Sequence, residues 1–386
     1  MKFLQLSDLH FGKTLAEYSM IEDQRFWCEG VLSFLRENPH DAVVLAGDLY
    51  DRSVPSSEAV ELMDSFLTAL VREIKLPVLA IAGNHDGAKR LDFGSALYRD
   101  SGLYMAAVPQ RKIERVTLED SYGEVDFWLL PYISPADGRT VFPEHEIHSF
   151  ADAYRAFVVE SGLRMDRSRR NVLVAHGFFS GFSGEIATEL ITSDSELTIG
   201  GTDVVDSRLF AEFDYCAFGH LHAPQRAGGD CMRYSGSPLK YSVSEEHQKK
   251  TLLSVTLGEK GKIDYEQHEI EPLHKLYSVE GTLEELSAPT GGEMASEDYV
   301  FVTIITEGAE VAAARRIRNL YPNYLGIRYR SREEARLLLG GGEAVRRRSL
   351  PEAFADFYMG VTGRELSQEQ AELVAKVAEE TREVEQ

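Results

Sequence analysis

The chain has 386 residues, 43% of them hydrophobic, enough for one large domain and a smaller one around packed cores. A formal net charge of -22 excludes a protein that coats nucleic acid by bulk electrostatics, although screening over roughly 8 Å at physiological salt leaves room for a local basic patch. No apolar run approaches the roughly 18 residues that span a bilayer, and Cys28, Cys216 and Cys231 have neither paired nor CxxC spacing. These features predict a cytoplasmic chain with reduced core thiols, no signal peptide and no membrane association.

Up to about residue 270, strand and helix patterns alternate. Lys2–Leu6 reads as a strand, 23–36 as a helix with Phe26, Trp27, Val31, Phe34 and Leu35 at helical spacing, and Ala42–Ala46 as a second strand. Ser56 and Ser57 offer N-caps to a helix carrying Val60, Met63, Phe66, Leu67 and Leu70, and Pro77 opens a strand over 78–82. This βαβαβ opening predicts parallel strands with right-handed crossovers. Shorter strands follow near 105–108 and 125–130, then a helix over Phe150–Gly162 and strands over 171–175 and 215–218. Between the last two strands, residues 177–201 are rich in Gly, Ser and Thr and predict a long surface loop near a site. Thr251–Leu257 and residues 262–270 flank a glycine-bearing turn as a hairpin, so antiparallel strands should finish the sheets. The fold class is α/β (α+β), a sandwich of mixed β-sheets flanked by helices over residues 1–270.

Beyond a Pro- and Gly-rich shift at 287–296, a strand over Tyr299–Ile305, a helix over 310–320 and a strand over 326–330 predict a small α/β unit within 275–335. Between 311 and 350, ten arginines stand against three glutamates. Residues 339–342 read as a flexible linker and the tail to residue 386 as two helices. In the first, Phe354, Phe357, Tyr358 and Val361 share a face; in the second, Ser367 and Gln370 make a capping box.

Five short polar motifs each follow an apolar run of strand length: Asp8-Leu9-His10, Gly47-Asp48, Gly83-Asn84-His85-Asp86, His176 and Gly219-His220-Leu221-His222. Asp8 and His10 are two apart, so in an extended segment their side chains point the same way, as do those of His220 and His222. Each pair can chelate one centre. Carboxylates, imidazoles and an amide oxygen suit manganese, iron or zinc, without the thiolates of a structural zinc site. Of eleven histidines, His40, His145, His148, His247, His268 and His274 lie outside the motifs and are expected at the surface, with His145 and His148 a secondary ligand pair.

The order D-x-H, G-D-x-x-D (Gly47 to Asp51), G-N-H-D, H and G-H-x-H is similar to that of the calcineurin-like binuclear metallophosphoesterases. Two longer stretches, 219–225 and 234–242, resemble those of the SbcD family, the nuclease subunits of bacterial SbcCD DNA-repair complexes. The resemblance implies a four-layer sandwich, a capping domain over 275–335 and a helical tail over 340–386 that docks on an SbcC-type coiled-coil ATPase. It further implies a homodimer within a heterotetramer, acting on DNA in repair, recombination and replication.

Carried over residue by residue, the resemblance implies one divalent ion held by Asp8, His10, Asp48 and His222, and a second by Asp48, Asn84, His176 and His220. Mn2+ is the expected metal, with Mg2+, Fe2+ and Zn2+ as alternatives. The pair of ions would activate hydroxide for phosphodiester hydrolysis. His85 is expected to stabilise or protonate the leaving oxygen, with Asp86 orienting its ring. Asp51 would orient a ligand or cap a turn. Arg315, Arg316, Arg318, Arg328 and Arg330 are the expected DNA contacts. A phosphomonoesterase or protein phosphatase of the same superfamily would use the same metals on a different phosphate.

Overall fold

The computed structural model describes residues 1–162, 164–183, 186–187, 190–196, 204–287, 297–306 and 311–331, with 366–367, 370–371 and 374. Met1–Ile304 and Ala309–Tyr329 form one compact unit; Ile305–Gly308 and Arg330–Gln386 belong to a second.

In the first unit, β1 (Lys2–Leu6), α1 (Ile21–Glu37), β2 (Ala42–Ala46), α2 (Ser57–Thr68), β3 (Val78–Ile81) and β4 (Leu103–Ala106) follow the predicted order. Neighbours among β1, β2, β3 and β4 pair in parallel. Ser56 caps α2 as predicted, its side chain accepting from Ala59 N–H at 3.3 Å. Next come β5 (Glu114–Asp120), β6 (Gly123–Leu130), α3 (Phe150–Gly162), β7 (Arg170–His176), β8 (Tyr215–Gly219), β9 (Gln225–Arg226) and β10 (Met232–Tyr234). The hairpin β11 (Thr251–Leu257) and β12 (Ile263–Glu269) completes the first sheet, whose order is β12-β11-β1-β2-β3-β4; the second is β9-β10-β8-β7-β6-β5.

Side-chain alternation along the central strands explains why two sheets stack. In β2, Ala42, Val44 and Ala46 enter the core shared with Phe127, Val172, Val174 and Ala217 of the other sheet, whereas Val43 and Leu45 pack with Trp27, Val31 and Phe66 of α1 and α2. In β8, Tyr215 and Ala217 face inward while Cys216 and Phe218 pack with Tyr154 and Phe157 of α3. Helix, sheet, sheet and helix form four layers, as expected. A buried Gln5 stitches the sheets, donating to Phe218 O at 3.2 Å and Arg233 O at 3.0 Å and accepting from Tyr215 OH at 2.8 Å.

A three-stranded sheet of β13 (Leu276–Gly281), β14 (Tyr299–Ile305) and β15 (Tyr324–Arg330), with α4 (Val311–Leu320), forms the small α/β element. Asp23 of α1 fastens it, accepting from Tyr299 OH at 2.9 Å and lying 3.0 Å from His274 Nδ1. The predicted linker at 339–342 and the first tail helix lie outside the described residues. Ser367 and Gln370 do make the reciprocal capping-box contacts, at 2.9 and 3.3 Å.

Two expectations need correction. The stretch after His176 is not simply surface loop: Phe179–Ser180 pairs with Val205–Asp206, and Phe179 is fully buried beside Phe210 and Phe218. Of the six histidines expected at the surface, His40 is buried, with its Nε2 at 2.8 Å from Ser254 Oγ, and His268 and His274 are half-buried.

Candidate metal centre

All five motifs emerge at the C-terminal ends of β1, β2, β3, β7 and β8. Beyond β1 and β2 the chains stay paired: Asp8 N–H donates to Gly47 O, His10 N–H to Asp48 O and Phe11 N–H to Leu49 O, each at 3.0 Å. The backbone there is not extended. Asp8, His10 and Asp48 have φ of 54°, 45° and 50°, a left-handed conformation that costs roughly 1–2 kcal/mol per residue. The turn, rather than strand alternation, aims these side chains.

Two glycines permit the close approach. A Cβ on Gly83 would sit 2.1 Å from Asp48 Oδ1, and one on Gly47, at φ +89°, would sit 2.4 Å from His176 Nδ1.

Two ligand clusters result, Asp8–His10–His222 and Asp48–His176–His220, and a third group, His10–Asp51–His85, shares His10 with the first; in each the donor atoms lie within 4.8 Å of one another. Asp48 Oδ2 lies 3.3 Å from His176 Nε2 and 3.7 Å from His10 Nε2, so one carboxylate oxygen reaches both clusters. Asn84 joins the second, its Oδ1 at 3.0 Å from both His176 Nε2 and His220 Nδ1. His10 and His222 face each other through their Nε2 atoms at 3.2 Å. All seven predicted ligands are therefore gathered, and the two histidines of Gly219-His220-Leu221-His222 are divided between the clusters.

The donor chemistry fits cations. His176 Nδ1 is 2.8 Å from Ala46 O, a carbonyl that can only accept, so a neutral His176 turns its Nε2 lone pair toward the Asn84 and Asp48 oxygens. Acceptors converging on one point repel unless positive charge lies between them. Burial alone would lower His176, but Asp48 and Asp8 hold its pKa up at about 9, which measures how strongly the two carboxylates draw positive charge, a proton or a metal ion, to this point. His220 instead falls to about 3, through burial and then His176.

His85 N–H donates to Asp48 Oδ1 at 2.8 Å, and its ring Nδ1 lies 3.0 Å from Asp51 O, edge-on to His10 at 4.8 Å between centroids. Asp86, expected to orient that ring, is engaged elsewhere. Its carboxylate accepts from the backbone N–H of Leu49, Tyr50 and Gly83 at 3.1, 2.9 and 2.8 Å, tying the third motif to the second. Burial, then the neighbouring Asp48, raises Asp86 to about 6. Asp51 sits behind the first cluster, 3.7 Å from His10 Nδ1 and 2.9 Å from Lys13 Nζ.

Three buried charges that no motif announces surround His222. Glu245 Oε1 lies 3.0 Å from His222 Nδ1, Lys250 Nζ donates to Glu245 Oε2 at 2.6 Å and to His222 O at 2.9 Å, and Glu196 accepts from His222 N–H. Gln24 performs a similar task for the first motif, donating to His10 O at 2.8 Å and accepting from Gly12 N–H at 3.0 Å. Tyr241, which accepts from Gln24 at 3.0 Å, and Ser237, which accepts from Lys250 at 2.8 Å, belong to a stretch quoted for the family resemblance.

Arg315, Arg316, Arg318 and Arg328 are exposed on α4 and β15, and Arg330 is half-buried. Arg318 lies over the Tyr324 ring at 5.6 Å and Arg328 over Phe301 at 5.4 Å. His145 and His148 are exposed and belong to neither ligand cluster.

The family model for calcineurin-like phosphoesterases matches residues 1–224, the segment that holds all seven candidate ligands. The chain belongs to the calcineurin-like phosphoesterase family. A second model, for the SbcD C-terminal family and described as the Type 5 capsule protein repressor C-terminal domain, matches residues 272–362 of this phosphoesterase. The SbcD subunit of the SbcCD nuclease of Staphylococcus epidermidis is 29% identical over 329 residues, 85% of each chain. Its namesake from Staphylococcus saprophyticus is 27% identical over 377 residues, 98% of this chain and 97% of the relative. A solved dimetal phosphatase from Danio rerio has a TM-score of 0.40 and 12% identity, covering 71% of this chain and 98% of that one. The SbcD resemblance read from the two longer motifs is thereby borne out.

Proposed function

We propose that this phosphoesterase is the nuclease subunit of an SbcCD-type complex, hydrolysing DNA phosphodiesters as a double-strand exonuclease and a single-strand or hairpin endonuclease. The observation that carries the reading is the pair of ligand clusters sharing Asp48 at the ends of five strands. Names of the bacterial relatives supply the substrate class.

Asp8, His10, Asp48 and His222 would hold one divalent ion, and Asp48, Asn84, His176 and His220 the other. Mn2+ is the metal expected. When bound, such a pair offers Lewis acidity that activates water at neutral pH and neutralises phosphate charge. The remaining steps belong to the chain. His85 presents Nδ1 to the Asp51 carbonyl, so its Nε2 is the atom left to meet the leaving oxygen and, from the imidazolium form in which both ring nitrogens carry a proton, to protonate it, leaving a neutral ring. Asp86 keeps the Gly83 turn against the Leu49–Tyr50 backbone, which fixes where His85 stands. The arginines of α4 and β15 would neutralise phosphates along the duplex. Residues 340–386 would dock on the SbcC-type ATPase.

A phosphomonoesterase would share the metals but leave the arginine-bearing element without a role. The deciding assay offers the purified chain, with manganese, double-stranded DNA, circular single-stranded DNA and p-nitrophenyl phosphate. Metal-dependent cutting of both DNAs is expected. Turnover of p-nitrophenyl phosphate alone would establish the phosphatase instead.

A further inference from the structure

Although the chain carries a net charge of -22, one cavity whose lining includes no member of the ligand clusters has four lysines and two glutamates. It encloses about 230 Å³ where the 238–250 segment and the end of the β11–β12 hairpin meet the entry to the small sheet. Apart from Met20, its lining residues follow residue 224, where the phosphoesterase match ends.

Its lining is divided by chemistry. Leu239, Leu276 and Tyr299 belong to the buried core cluster of α1 and α2 and give an apolar floor, with the half-buried Tyr277 beside them. Lys250 is already committed to Glu245 and the His222 carbonyl. Lys240, Lys249 and Lys275 remain. Lys249 pairs with Glu269 at 3.4 Å and Lys275 with Glu271 at 3.6 Å, long contacts between exposed groups that contribute little and yield readily to a stronger anion. Lys240 donates to the Glu246 carbonyl and, among the described residues, makes no ion pair.

We propose that this cavity binds a small aromatic phosphate, of mononucleotide size at most. Lysine ammonium groups serve phosphate as mobile point charges. Tyrosine and leucine faces accept a planar ring. The volume lies below the roughly 300–1,000 Å³ of usual ligand sites, which limits the occupant to about one ring and one phosphate and excludes a longer strand.

The test is calorimetric titration of the full-length chain with thymidine 5′-monophosphate, thymidine and inorganic phosphate, with metal chelated so that phosphate has no ion to bind, then repeated with manganese. Under chelation the monophosphate should bind at one site, and thymidine and phosphate should each bind at least about tenfold more weakly, since each lacks one half of the contacts. The Lys240→Glu/Lys275→Glu double variant should weaken the monophosphate by about tenfold or more at an unchanged melting temperature. Tyr277→Ala should bring the monophosphate down to the affinity of phosphate alone. The proposal is overturned if the chelated chain does not bind the monophosphate, if the double variant binds it undiminished, or if phosphate binds equally well. Because binding is read without turnover, the outcome does not depend on the nuclease reading.

Discussion

Glu245 Oε1 accepts from His222 Nδ1 at 3.0 Å, which leaves the Nε2 lone pair of that ring facing His10 in the first ligand cluster. Burial alone would raise the Glu245 carboxyl, but His222 and Lys250 pull it well below the usual carboxylate range, so it stands ionised behind the histidine. Glu245→Gln keeps the size and loses the charge. It should weaken manganese binding about 10–100-fold, read by calorimetry beside a melting curve. Unaltered affinity would remove Glu245 from the metal site.

His85→Ala should separate holding the metal from using it. His85 shares a potential ligand group with His10 and Asp51, but its Nδ1 is engaged 3.0 Å from the Asp51 carbonyl, so bound manganese per chain should stay the same while turnover on DNA falls by roughly 10²–10⁴. Loss of manganese in this variant would make His85 a ligand.

Gly83→Ala places a methyl group 2.1 Å from Asp48 Oδ1 and 2.3 Å from the Asp48 backbone nitrogen. Backbone cannot swing aside, so the turn must move and carry Asn84 with it. Metal analysis should find about one manganese fewer per chain and activity should collapse. A fully active variant would show that the turn is not needed in this position.

Acid sensitivity should come partly from a site remote from the metals. Arg170, nearly buried, donates to Asp120 at 2.9 Å and to Leu257 O at 3.2 Å, tying β5 to the other sheet. That guanidinium, against the effect of burial, holds the Asp120 carboxyl well below the usual range. A depressed carboxyl pKa contributes stability above the unfolded value, near 4, and loses it as pH falls toward the folded value. The melting-temperature gap between wild type and Asp120→Asn should therefore be full at about pH 6 and narrow below about pH 4. A gap independent of pH would refute the linkage.

Reversing Arg315, Arg316, Arg318 and Arg328 together should weaken DNA binding and flatten its salt dependence, by about 0.9 in log–log slope for each duplex phosphate that is no longer neutralised. Binding isotherms across a salt series read this directly, and an unchanged slope would assign these side chains to solvent.

Much of the centre is legible in the residues alone because the chemistry is local. A short apolar strand that ends in Asp-x-His, Gly-Asp or Gly-Asn-His-Asp announces both the position of a ligand and its donor type. Asp86 shows where such reading fails. Next to His85 in sequence, it looks like that ring's partner, yet the turn points its carboxylate at the amides of Leu49, Tyr50 and Gly83. The local reading also mistook the device that aims Asp8 and His10, since left-handed backbone is invisible in an Asp-x-His pattern.

By itself the sequence determined the strand order of the opening, the seven candidate ligands and the class of chemistry, since those depend on periodicity and residue type within a few positions. Their division between two ions with Asp48 shared came from the family resemblance, and only the tertiary structure decided that Glu245, Lys250, Glu196 and Gln24 stand behind them. The centre joins positions far apart in the chain, 212 residues between His10 and His222. A buried carboxylate or ammonium is recognisable only once the fold has removed its water and supplied its partner.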